Sequence, residues 1–192
     1  AGLTGKFSPP QHSQSIGQQD IVGVKAEIGG EVLTLTFTMR ELTDDWIPAN
    51  GFDNVAFSLF FDIADQQGAN LLPMLNAQMP NDWDWDLGHV VYGWGNTTFS
   101  TKHASADHQG EKLGVAPRVE TDKEAKTIRF TYRLTDFGVT NWLGSKIYVT
   151  TWDITGEGAY REVEPESSQW NFGGGEHNAA KILDFVELSL TH

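Results

Sequence analysis

Leu33-Thr34-Leu35-Thr36-Phe37-Thr38-Met39 alternates without a break, and no other feature narrows the available folds so far. Four large apolar side chains point one way and three threonines the other only when the backbone is extended, with a period of two. The pattern returns at Val55, Phe57, Leu59, Phe61 and Ile63, with Ala56, Ser58 and Asp62 opposite. It appears again at Ile128, Phe130 and Tyr132, at Ile147, Val149 and Thr151, and at Val186, Leu188 and Leu190. Strands with one apolar and one polar face share a core by packing sheet on sheet. Gly29-Gly30 and residues 122–125 fall where hairpin turns are needed. No window sustains a helical period; the best candidate is a single turn over 134–139 capped by Thr135. The fold is therefore expected to be all-β, an antiparallel β-sandwich of roughly nine to eleven strands.

Residues 1–19, with Pro9-Pro10 and several Gln and Ser, read as an extended lead-in, and 20–192 as a single β-sandwich domain. Ala1 is compatible with a processed or a cloned start. No apolar run approaches the ~18–20 residues that span a bilayer. Thirteen Lys and Arg face 26 Asp and Glu, a net charge of -13. Such a field repels phosphate backbones and anionic lipid, so neither nucleic acid nor a membrane surface is expected as a partner. Neutral ligands and cations fit it, and so does plain solubility. The absence of cysteine excludes disulfide scaffolds, thiolate-bound zinc and thiol nucleophiles, and leaves the compartment open.

Function is then sought in a few aromatic loops. There are seven tryptophans: Trp46, Trp83, Trp85, Trp94, Trp142, Trp152 and Trp170. A sandwich core absorbs several. If Asp82-Trp83-Asp84-Trp85-Asp86 is extended, however, both indoles share one face and the three carboxylates the other. That ledge lies in a long loop, 68–86, which is read as functional. Trp170 precedes Gly173-Gly174-Gly175-Glu176, where bare backbone allows close approach. Sugar rings lay their axial C–H groups on indole faces while neighbouring polar side chains bond their hydroxyls. The candidate carbohydrate-binding set is Trp83, Trp85, Trp170 and Trp46, with Asp84 and Glu176 as hydroxyl acceptors. Asp62, Asp65 and Asn70 surround Gly68 at a strand end and are candidate oxygen ligands for a structural Ca2+, with a plain Asx turn equally open. Asp20, Asp44, Asp45 and Asp53 are further candidates. No HxH, HExxH, GxSxG or P-loop spacing occurs, and no residues are singled out as catalytic. Met39, Met74, Met79 and His89 form no convincing axial pair for haem.

Several segments together resemble a known family. They are Asp44-Asp45-Trp46-Ile47-Pro48, Gly51-Phe52-Asp53-Asn54-Val55, the run from Trp85 to Trp94, residues 134–142, Trp152-Asp153 with Tyr160-Arg161-Glu162-Val163, and Trp170 to Gly175 followed by Lys181-Ile182-Leu183-Asp184. In order and spacing they resemble the C-terminal domain of glucodextranase and related domains on amylases and pullulanases. These are similar in turn to family 9 carbohydrate-binding modules and to DOMON-like, jelly-roll sandwiches. The resemblance implies a noncatalytic module, often with bound calcium, that holds a secreted glycoside hydrolase near a starch-like α-glucan. Its partners would be a neutral polysaccharide and the catalytic domain of a parent enzyme, and its place extracellular or periplasmic. It also implies that Trp94 and Trp152 are scaffold positions and that Trp83 and Trp170 clamp a sugar. The alternative is a structural or docking domain that binds no glycan.

Overall fold

A computed structural model of the chain describes residues 17–64 and 66–191. Among these are eleven strands and two short 3-10 turns, Gly17–Gln19 and Leu134–Phe137. The alternating segments form β1 (Ile21–Gly29), β2 (Val32–Met39), β8 (Arg118–Asp122) and β9 (Thr127–Arg133), hydrogen-bonded in the order β1-β2-β9-β8. The second sheet contains β3 (Ala56–Asp62), β6 (Leu87–Tyr92), β7 (Gly95–Ser100), β10 (Lys146–Trp152) and β11 (Asp184–Ser189), in the order β11-β10-β3-β6-β7. Neighbouring strands in both sheets are antiparallel. A small hairpin, β4 (Leu71–Leu72) with β5 (Ala77–Gln78), stands apart. The architecture is a β-sandwich, as the alternation requires.

The inner faces meet as expected. Leu33, Leu35, Phe37 and Met39 of β2 are fully buried with Phe57, Leu59 and Phe61 of β3 and with Phe130 and Tyr132 of β9. The outer face of the four-stranded sheet is polar, and its threonines are only half-buried. The outer face of the five-stranded sheet is not. Phe60, Val90, Phe99 and Tyr148 project there, and residues 66–86 fold over them, adding Leu72, Leu75, Met79 and Trp85 to a second core. A third cluster, Trp152, Val163, Phe172 and Leu183, lies beside it. The long loop is thus a lid that completes the fold, because its apolar side chains have a sheet face to cover.

This arrangement removes the expected ledge. Asn81 and Asp82 both have positive φ, 57° and 58°, so the chain turns where extension was expected. Trp85 is 0% exposed, its indole N–H donates to the Leu71 carbonyl at 2.7 Å, and its ring meets Phe60 and Phe99 edge-on. It cannot offer a face to a sugar. Trp83 is half-buried against the same core, with the Lys146 ammonium 5.6 Å from its ring centroid.

The 3-10 turn at Leu134–Phe137 occupies the place of the expected single turn, but Arg133 precedes it without a side-chain cap, so Thr135 does not cap it. Most of the expected lead-in, residues 1–16, lies outside the described residues. Its last three residues, Gly17–Gln19, are a buried 3-10 turn rather than an extended stretch.

Candidate functional site

The three central strands of the larger sheet, β10, β3 and β6, send loops to one end of the sandwich. The first loop, 43–53, leads into β3. Buried Asp53 accepts hydrogen bonds from the Trp46 N–H at 3.0 Å and from the Thr43 hydroxyl, fixing the turn that carries Trp46. Trp94 sits at the two-residue tip of the β6–β7 hairpin, next to the Tyr92–Gly95 pair. The Asn50 side chain donates to the Tyr92 carbonyl at 2.8 Å, and the Asn50 N–H donates to the Gly93 carbonyl at 2.8 Å. Hairpin and loop are therefore braced together.

Trp170 rides on a third loop, between β10 and β11. The Asn171 N–H donates to the Ser168 hydroxyl and the Ser168 N–H to the Asn171 carbonyl, both at 3.1 Å, closing a tight turn with Trp170 near its tip. Phe172 anchors the turn against Trp152, ring centroids 4.9 Å apart. Two of the three consecutive glycines are needed here. A Cβ on Gly173 would stand 2.1 Å from the Ser167 nitrogen, and Gly174 has φ of 91°.

Between the loops lies a cleft of about 320 Å³, lined by Trp46, Asn54, Tyr92, Trp94, Ile154, Arg161 and Trp170 and by the backbone of Gly93 and Gly156. Trp46 is 71% exposed, Trp94 43% and Trp170 47%. They are the exposed tryptophans of the described residues, and all three reach the same cleft. Trp142 and Trp152 are buried. Arg161 is the charged side chain in the lining, its guanidinium carbon 5.2 Å from the Trp170 ring centroid. Behind it, Asp153 is buried, with Oδ2 3.7 Å from Arg161 Nε. Burial pushes the Asp153 carboxyl up to about 7, against the pull of Arg161 and of the Ile154 N–H. No carboxylate is among the described lining residues. The cleft's indole faces, with a few convergent polar groups, have the makings of a ligand site.

Of the residues expected from the sequence, Trp46 and Trp170 come together. Trp83, Trp85, Asp84 and Glu176 lie outside this cleft. Asp84 and Glu176 are exposed elsewhere. Trp94, expected as scaffold, is instead at the rim. Its signal was local: an indole at a tight hairpin tip, flanked by Gly93 and Gly95, has few sequence neighbours to cover it. Asp62 accepts a hydrogen bond from the Asp84 N–H at 3.3 Å, and the Asn70 amide donates to the Trp83 carbonyl at 3.0 Å. Both brace the lid, and Asp65 lies outside the described residues. Among those residues no three His, Cys, Asp or Glu side chains group to hold a metal ion. Asp20 is engaged with Arg40, Asp44 with Lys123, and Asp53 with the Trp46 loop.

No helix among the described residues is long and apolar enough to cross a membrane. No curated protein matches the chain. The model of one family, described as the C-terminal binding-module, SLH-like, of glucodextranase, matches residues 4–189. The fold and the residues that carried the resemblance agree with this match, and the chain belongs to that family.

Proposed function

We propose that the chain is a noncatalytic carbohydrate-binding module that seats a neutral, starch-like α-glucan among Trp46, Trp94 and Trp170. One observation carries this reading: the three exposed indoles arise far apart in sequence and meet at a single cleft. Exposed indoles have no role in the cores, and a pyranose face offers them apolar area while its hydroxyls remain for Arg161, Asn54 and Tyr92. The volume lies at the lower end of the range for small-ligand sites, which supports a short oligosaccharide segment rather than a long enclosed chain. Membership of the binding-module family supports the same class, with a secreted glycoside hydrolase as the attached partner. Shallow stacking with a few hydrogen bonds gives affinities of roughly micromolar or weaker.

Affinity electrophoresis against starch, pullulan and dextran tests the reading. The parent should be retarded by an α-glucan, and Trp46→Ala, Trp94→Ala and Trp170→Ala should each migrate more freely. Three variants retarded like the parent would place the glycan elsewhere. A parent that no polysaccharide retards would instead favour a docking role.

A further inference from the structure

Arg161 has an arrangement that a simple stacking site does not require. Its main chain is fixed: the N–H donates to the Asp153 carbonyl at 3.2 Å, and the carbonyl accepts the Trp152 indole N–H at 2.8 Å. Its side chain is held differently. Among the described residues Nε makes no hydrogen bond and meets Asp153 Oδ2 as an ion pair at 3.7 Å. The guanidinium bridges a buried carboxylate on one side and the half-exposed Trp170 ring on the other. Among the described residues, Arg161 is the charged group that acts on Asp153. Lys181, another largely buried basic side chain, is paired with Glu162 at 3.4 Å. Tyr92 is the other titratable group of the lining.

We propose that Asp153 and Arg161 are positioning residues for Trp170: the buried carboxylate anchors the guanidinium, the guanidinium steadies the indole at the cleft, and protonation of the carboxylate loosens this hold. The site then grips its ligand less firmly in mildly acidic than in neutral solution. The titrating partner is Asp153, and burial brings its titration close to neutrality. With Asp153 neutral, the Coulomb attraction across 3.7 Å is gone and the cation no longer has a fixed place over the ring.

A pH titration of tryptophan emission decides the matter without any ligand. The difference between the parent and Trp170→Phe isolates the one ring. It should inflect near the Asp153 titration in the parent and stay flat in Asp153→Asn, which keeps the neutral shape of the carboxyl. Arg161→Gln should abolish the inflection from the other side, and it serves if Asp153→Asn does not fold. An inflection that survives in either folded variant, or none in the parent, overturns the proposal. A second arm rests on the glucan reading: maltoheptaose affinity should fall about two- to fivefold from about pH 8 to about pH 6, the weight of one exposed cation–π contact, and should be level in Asp153→Asn. Failure of maltoheptaose to bind would count against the glucan reading, while the emission titration still judges this one.

Discussion

Replacing Trp85 with phenylalanine and, separately, Trp46 with alanine should affect two different properties of the protein. Trp85→Phe keeps an aromatic ring beside Phe60 and Phe99 but removes the indole N–H that lies 2.7 Å from the Leu71 carbonyl. Withdrawing a donor from a carbonyl at the lid costs about 1–3 kcal/mol. The smaller ring also gives up part of two edge contacts, each worth about 0.5–1.5 kcal/mol. A loss of roughly 2–4 kcal/mol follows, a large share of the roughly 5–15 kcal/mol that holds a typical domain together. Trp46 is mostly in solvent, so its truncation should move stability by no more than about 0.5 kcal/mol. If a pyranose covers about 70 Å² of its apolar face, the lost burial is worth about 2 kcal/mol, or roughly twenty- to thirtyfold in Kd. Urea denaturation and affinity electrophoresis in starch gels read the two effects side by side. The reasoning fails if Trp85→Phe abolishes retention while its urea midpoint stays at the parent value, because the ring would then be acting as a surface.

Two further outcomes are expected. Ile47 is 88% exposed with φ of 52°, a region that costs a side chain about 1–2 kcal/mol, so Ile47→Gly should raise stability by up to about 1 kcal/mol after the entropic cost of glycine; a lower urea midpoint refutes the strain. His89 is fully buried between the Tyr132 hydroxyl at 2.8 Å and Asn96 Oδ1 at 2.6 Å, and burial pushes it down to about 4. Its neutral form is the one the fold favours, so its contribution is complete above the unfolded value near 6.5 and is lost as pH falls towards about 4, on the order of 3 kcal/mol in all. Asp153 and Asp86 are raised by burial and act in the opposite sense over that range. The His89 share is therefore measured as the stability gap between parent and His89→Gln, which should narrow in acid; a gap that does not change with pH contradicts it.

The strands were legible because burial on one face imposes alternation, and Leu33 to Met39 obeys that rule. The second core was less so, although Phe60 announced it: an aromatic among Ala56, Ser58 and Asp62 on the supposedly polar face has to be covered. The apolar residues of 66–86 are that cover, so their burial in the loop is structural. Trp83 and Trp85 both pack on that second core, so the side they share is turned to the sheet rather than to solvent. Trp46 and Trp170 were candidates, Trp170 for the three glycines that follow it, and both line the cleft. That they converge with Trp94 and Arg161 was not readable, because it depends on the β11-β10-β3-β6-β7 order, which brings distant loops to one end.

The cleft is rooted in the innermost strands of a sheet that is dry on both sides. Deuterium should enter the amides of β1 and β8 early, since these lie at the sheet margins, and those of β3 last. Fraying of β1 and β8 leaves undisturbed the root that each aromatic loop has on β10, β3 or β6. Heating should therefore not produce a partly melted form that has lost recognition while keeping its sandwich: on a temperature ramp, loss of ligand capture and cooperative collapse of the whole domain should coincide.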